Sequence, residues 1–150
     1  MALKTPLYEQ HVSLGAKITE FAGFLMPLQY AGIVAEHHTV RTMVGIFDLT
    51  HMGEILVAGR QAEQFLNYIT TNNVSNLMPG AIQYSLLTNA NGGVIDDILV
   101  YRVPEGFYLV VNAANTAKDY QWLRQHAPEG VTITDLSAET ALIAVQGPNS

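Results

Sequence analysis

The stretch AIQYSLLTNANGGVIDDILVYRVPEGFYLVVN, residues 81–112, decides the fold. Residues 81–89 and 94–103 are two strand-like runs, and the Asn-Gly chemistry between Asn89 and Gly93 is what left-handed hairpin positions require. Pro104 to Gly106 then turns the chain into a third run, residues 107–112, whose unbroken apolar character predicts burial on both faces. Three strands joined in this way form an antiparallel meander.

Upstream of the meander, residues 46–58 carry short β-branched and apolar runs, predicting one or two strands broken near His51 to Gly53. Ala62, Phe65, Leu66 and Ile69 then form one apolar helical stripe, ended by the polar residues 70–73, and Pro79-Gly80 marks a turn. Downstream, Asn115 is placed to cap a helix reaching about His126, followed by strands over residues 131–134 and 141–145. The order β-α-β-β-β-α-β predicts an α+β fold: a mixed or antiparallel sheet with packed helices. Nearer the start, Thr5-Pro6 reads as a helix start, the Thr5 hydroxyl placed to cap it, with Gly15 as its stop, residues 21–30 as irregular or strand structure, and residues 32–43 as a helix ending near Gly45.

Thirteen acidic residues against 7 basic ones, with no basic cluster, argue against nucleic acid as a partner. With 49% hydrophobic residues in a chain of 150, there is material for one core or two small ones. The absence of cysteine excludes disulfides, thiolate metal sites and a catalytic thiol from this stretch. No run approaches a membrane helix or a secretory signal, so the expected location is the cytoplasm, away from membranes. The apolar run at residues 141–145, followed at once by Pro148-Asn149-Ser150, is expected to mark a truncated chain.

The most suggestive chemistry is Asp96-Asp97 inside an apolar strand, a costly place for carboxylates. Alternation puts Ile95, Asp97, Leu99 and Tyr101 on one face and Val94, Asp96, Ile98 and Val100 on the other, so the acids cannot form a close dyad. Asp96 reads as a hairpin-end carboxylate bonded to nearby backbone amides. Asp97 has two readings: an acid facing an apolar cleft, able to pair with a ligand's ring nitrogen, or a member of a structural network. His37 and His38 diverge by roughly 100° on a helix and do not share a metal, so no metal site is expected. Gly92-Gly93 precedes a strand, not the helix of a phosphate loop, and Gly-x-Ser-x-Gly is absent.

Taken together, Thr5-Pro-Leu-Tyr8, Phe21-Ala-Gly23, Met26-Pro27, Phe47-Asp48 with His51-Met52, Asn91-Gly-Gly-Val-Ile-Asp-Asp97 and Val145-Gln-Gly-Pro148 resemble the glycine cleavage T-protein family in order and spacing. The resemblance implies the discontinuous folate-binding fold of T-proteins. Residues 1–51 would open one domain, 52–140 form an α+β subdomain, and 141–150 return to the first domain, with a further barrel domain beyond.

The activity implied is that of an aminomethyltransferase in glycine catabolism and one-carbon metabolism. It moves the methylene of an aminomethyl group on the lipoyl arm of the H-protein to tetrahydrofolate and releases ammonia. Carried over residue by residue, the catalytic acid is Asp97, and the folate-binding positions are Met52, Tyr84, Asp97, Leu99, Val110 and Asn112. Tetrahydrofolate is the expected acceptor and lipoylated H-protein the expected partner, with this piece expected to be inactive alone. Two alternatives stay open: a non-catalytic folate-binding scaffold or assembly factor, and the folate domain of a dimethylglycine or sarcosine oxidase. The start at Thr5 is expected to leave no room for the flavin domain of the latter.

Overall fold

The computed structural model describes residues 2–150, which divide into two compact units, one running through His51 and resuming over Ala141–Ser150, the other spanning Met52–Thr140.

In the first unit, strand β1 (Leu3–Lys4) pairs in parallel with β3 (Phe24–Gln29), which pairs antiparallel with β2 (Lys17–Phe21). Helix α1 (Tyr8–Ser13) precedes β2, and helix α2 (Ile33–Thr42) leads into β4 (Gly45–Asp48). The closing strand β10 (Ile143–Gln146) pairs antiparallel with β4. Residues 17–29 form a hairpin because Ala22 and Gly23 both take left-handed backbone angles, turning the chain within two residues. The Thr5 hydroxyl does not cap α1; it donates to Asp48 Oδ2 at 2.7 Å, and the helix begins only at Tyr8. Ile143 and Val145 of β10 are exposed.

The second unit is one five-stranded antiparallel sheet in the order β6-β7-β8-β5-β9, formed by β5 (Gly53–Gly59), β6 (Ile82–Thr88), β7 (Val94–Val103), β8 (Gly106–Val111) and β9 (Val131–Asp135). The meander β6-β7-β8 is present as read from the sequence. Its hairpin tip is held by Asn89, whose Oδ1 accepts the backbone N–H of Asn91 and Gly93, while Gly92 supplies the left-handed residue at φ 77°. Helices α3 (Ala62–Ile69) and α4 (Thr116–His126) cover one face. Phe65, Leu66 and Ile69 of α3 and Leu123 of α4 pack there with Ile55, Val57, Ile98, Val100, Leu109 and Val111 in a single core. Alternation therefore sends Tyr84, Asp97, Leu99, Tyr101, Tyr108, Val110 and Glu54 to the opposite, helix-free face.

Gly53 shows why residue size matters at the start of β5. A Cβ there would run into the Thr116 side chain at the head of α4 and lie 2.7 Å from Val111 Cγ2, so only glycine lets helix and sheet approach this closely.

Candidate functional site

The helix-free face of the second unit brings most of the sequence-derived candidates together. Tyr84 on β6, Leu99 on β7 and Val110 on β8 stand directly opposite one another in register. They form one row, graded from the exposed Tyr84 through the half-buried Leu99 to the buried Val110. Asp97 is the next outward-facing residue along β7, and its carboxylate is exposed. The Tyr84 hydroxyl donates to Asp97 Oδ2 at 3.3 Å, and Asn112 Nδ2 donates to Asp97 Oδ1 at 2.9 Å. Desolvation, followed by the neighbouring Asp97 charge, raises the Tyr84 phenol above its ordinary 10, so it stays a donor. Met52, half-buried, immediately precedes β5 and takes no part in these hydrogen bonds.

The burial of the two adjacent acids is the reverse of what their depth in the strand suggests. Asp96 is the buried one, at 5% exposure, while Asp97 is open. Asp96 bonds not to its own hairpin but to the segment after β8. Its Oδ2 accepts the Asn112 backbone N–H at 3.1 Å, and its Oδ1 accepts Asn112 Nδ2 at 3.0 Å and Asn115 Nδ2 at 2.6 Å. Asn115 thus precedes α4 without capping it, because its side chain is spent on Asp96. Burial pushes the Asp96 carboxyl up, but donors from Asp119, Asn112 and Asn115 outweigh that and hold it below its ordinary value.

Asn112 is the joint between the two acids. Its Nδ2 lies 3.0 Å from Asp96 Oδ1, 2.9 Å from Asp97 Oδ1 and 3.1 Å from the Asp97 carbonyl. All three neighbours are acceptors, which fixes the amide nitrogen toward them.

Two acids escaped the sequence reading. Glu54 on β5 is 0% exposed, with neither carboxylate oxygen hydrogen-bonded, and burial, then the charge of Asp135, pushes its carboxyl up to about 7. Asp119 on α4 is also 0% exposed, and burial, then its contact with Asp96, pushes it up to about 8. The available signal for Asp119 was helical spacing: it lies four residues before the core residue Leu123, on the face α4 buries. Glu54 gave no such signal, since an acid alternating with Gly53, Ile55 and Val57 reads as solvent-facing.

The first unit holds a second polar cluster. Asp48, whose side chain is 1% exposed, accepts from Thr5 and from the Thr50 backbone N–H at 2.9 Å, and His11 Nε2 lies 2.9 Å away. With Nε2 donating to Asp48, His11 Nδ1 accepts from the Tyr30 hydroxyl at 2.8 Å. Burial pushes the Asp48 carboxyl up, yet the bonds from His11, Thr5 and Thr50 leave it below its ordinary 3.8. Tyr30 and Asp48 also border a cleft of about 540 Å³ with Met26, Ile33, Glu36 and Phe47.

With this geometry in place, comparison with known proteins settles the kinship. The sequence profile described as the GCVT N-terminal domain matches residues 7–150. The chain belongs to that family. It is 50% identical over 148 residues to an aminomethyltransferase of Pelodictyon phaeoclathratiforme, covering 97% of this chain and 40% of that one. It is 51% identical over 147 residues to an aminomethyltransferase of Bacteroides thetaiotaomicron, with 97% and 41% covered. The crystal structure of glycine cleavage system aminomethyltransferase T from Bartonella henselae superposes with a TM-score of 0.92 at 38% identity, over 99% of this chain and 42% of that one. The α+β fold expected from the sequence is therefore that of its relatives, and the chain spans about two fifths of their length. Among the described residues, no helix is long and apolar enough to cross a membrane.

Proposed function

We propose that the helix-free face around Asp97 is one wall of the tetrahydrofolate site of a glycine cleavage aminomethyltransferase. The observation that carries this reading is the Tyr84–Asp97–Asn112 cluster. An exposed carboxylate, flanked by a phenol and an amide that hold it in place, stands beside the half-buried Leu99. Such a set suits a flat heterocycle, with apolar contact for its face and one charged acceptor for its ring N–H groups. Kinship to proteins named aminomethyltransferase supports the same chemistry.

In the proposed reaction the donor is an aminomethyl group joined as a thioether to the lipoyl arm of the H-protein. Its C–N bond breaks to release ammonia, its C–S bond breaks to return the lipoyl thiol, and two C–N bonds form to the folate. The two protons given up by the folate nitrogens go to the ammonia and the thiol, so atoms and charge balance. Asp97 acts by orienting the folate through a charge-assisted hydrogen bond, raising the population of the attacking geometry, and by accepting a proton in passage. Met52 and Leu99 supply apolar contact, the buried Val110 backs Leu99 from the neighbouring strand, and Tyr84 and Asn112 fix the carboxylate.

The test is Asp97→Asn in a protein of its relatives' full length, assayed with lipoylated H-protein for methylenetetrahydrofolate formation. The substitution keeps the shape and removes the charge. The expected result is a loss of turnover of about 100-fold or more, within the range for a positioned acid–base group. Turnover near wild type would rule the role out.

A further inference from the structure

Asp119 is fully buried on α4, with neither oxygen in a hydrogen bond to a nitrogen or hydroxyl. Its one nearby cation, Lys118 on the same helix, stands 3.8 Å from Oδ1, too far to donate, and spends its ammonium on the Ile95 carbonyl at 2.7 Å. Asp119 follows by one helical turn Asn115, whose Nδ2 donates to Asp96 Oδ1 at 2.6 Å, so it lies on the side of α4 turned to the Asp96 carboxyl of β7. Two buried carboxyl groups in contact share a proton, because both cannot ionise side by side in a region this poor in compensating charge. The proton rests on Asp119, since Asp96 already accepts three hydrogen bonds from Asn112 and Asn115 and is the better anion.

A proton on Asp119 would give it a partner, its O–H donating to Asp96. It also completes a continuous chain from helix α4 to the open face of the sheet. Asp119 donates to Asp96, Asp96 accepts from Asn112, the same Asn112 Nδ2 donates to Asp97, and Asp97 accepts from Tyr84. We propose that Asp119 is a positioning residue for Asp97, acting through Asp96 and the Asn112 side-chain amide. Neutral Asp119 leaves a single negative charge behind the sheet, and that charge pins Asn112 where it can bond Asp97. The facing groups that titrate or carry charge are Asp96 from β7 and Lys118 from α4 itself. Asn112 and Asn115, in the segment between β8 and α4, provide only neutral donors. Because Asp119 is held up to about 8, ionising it at higher pH sets two carboxylates against each other and loosens the anchor.

The functional half of this inference rests on the folate reading of Asp97, so the test has two arms. In the first, the side-chain 13Cγ resonances of Asp96, Asp97, Asn112 and Asp119 are followed from pH 6 to 10 in wild type and Asp119→Asn. Asparagine keeps a donor toward Asp96 but cannot ionise. The expected result is a transition near pH 8 in Asn112 and Asp97 that tracks Asp119 and is absent in Asp119→Asn. Asn112 and Asp97 resonances that stay still while Asp119 titrates, or that move equally in the variant, overturn the proposal.

In the second arm, tetrahydrofolate affinity is measured against pH for wild type and Asp119→Asn at the relatives' full length. Wild type is expected to lose about 3- to 10-fold between pH 7 and pH 9, the worth of one hydrogen bond, while Asp119→Asn stays level. Equal pH dependence of the two overturns the proposal. Absence of folate binding at every pH, with the 13C coupling intact, overturns the folate reading and supports the linkage of Asp119 to Asp97.

Discussion

Glu54 offers a measurement in which the burial of one carboxyl sets the outcome. In the folded chain it stays protonated to about 7 rather than its ordinary 4.5, first through burial and then through the charge of Asp135. Between those two values the folded chain therefore holds a proton that the unfolded chain has released. Stability contributed at this site is highest below pH 4.5 and declines as pH rises to about 7, where it levels off. At about 1.4 kcal/mol per pKa unit, the decline is about 3 kcal/mol. Glu54→Gln abolishes it, since the amide has the same shape and no charge. Urea unfolding followed through Trp122, the one tryptophan and a residue of the same unit, reads the effect. The difference in stability between Glu54→Gln and wild type should shift in the variant's favour by about 3 kcal/mol between pH 4.5 and pH 7.5. Any fixed cost of placing an amide there cancels in the comparison. A difference that does not change with pH would mean that Glu54 is solvated or paired, and the reasoning from its burial fails.

Other substitutions test other parts of the structure. Asp48→Ala strands the Thr5 and His11 donors and the Thr50 N–H, with an expected loss of about 3 kcal/mol at pH 7, read by hydrogen exchange in β4 and β10. Because the Asp48 carboxyl sits below its ordinary 3.8, its contribution is present above that value and is lost as pH falls further, so wild type and variant should converge in acid. Gly53→Ala forces a methyl against Thr116 and Val111 and should cost about 1–3 kcal/mol in thermal unfolding, whereas Gly92→Asn at the hairpin tip keeps a tolerated left-handed residue and should cost less.

Much of the second unit was legible because its signals are local. Asn89 and Gly92 specify their hairpin, the stripe Ala62, Phe65, Leu66 and Ile69 specifies α3, and alternation along β7 correctly separates Asp96 from Asp97. What alternation cannot supply is which face the helices take. That depends on α3 and α4 docking together on the side of Ile98 and Val100, and it is why Asp96 is the buried acid and Asp97 the exposed one. Capping rules failed twice for one physical reason. Thr5 and Asn115 each donate to a carboxylate met through tertiary contact, Asp48 for one and Asp96 for the other, and in that orientation neither side-chain oxygen accepts a helix N–H. The burial of Glu54 gave no signal in the sequence, and although helical spacing marks Asp119 as inward-facing, nothing in the sequence brings it to Asp96 until the helix is laid on the sheet. The candidate site itself came from resemblance for Met52, Tyr84, Leu99, Val110 and Asn112. Strand alternation independently pointed only to Asp97.

The most direct test of the central claim is calorimetric titration of tetrahydrofolate into this chain and into a version extended to its relatives' length, each with and without Asp97→Asn. The account predicts measurable binding by the extended protein and a clear loss of affinity on Asp97→Asn, with little or no binding by the 150-residue chain, which would supply one wall of the proposed site. Folded proteins that bind no folate in either length, or an extended protein whose affinity is indifferent to Asp97→Asn, would contradict it.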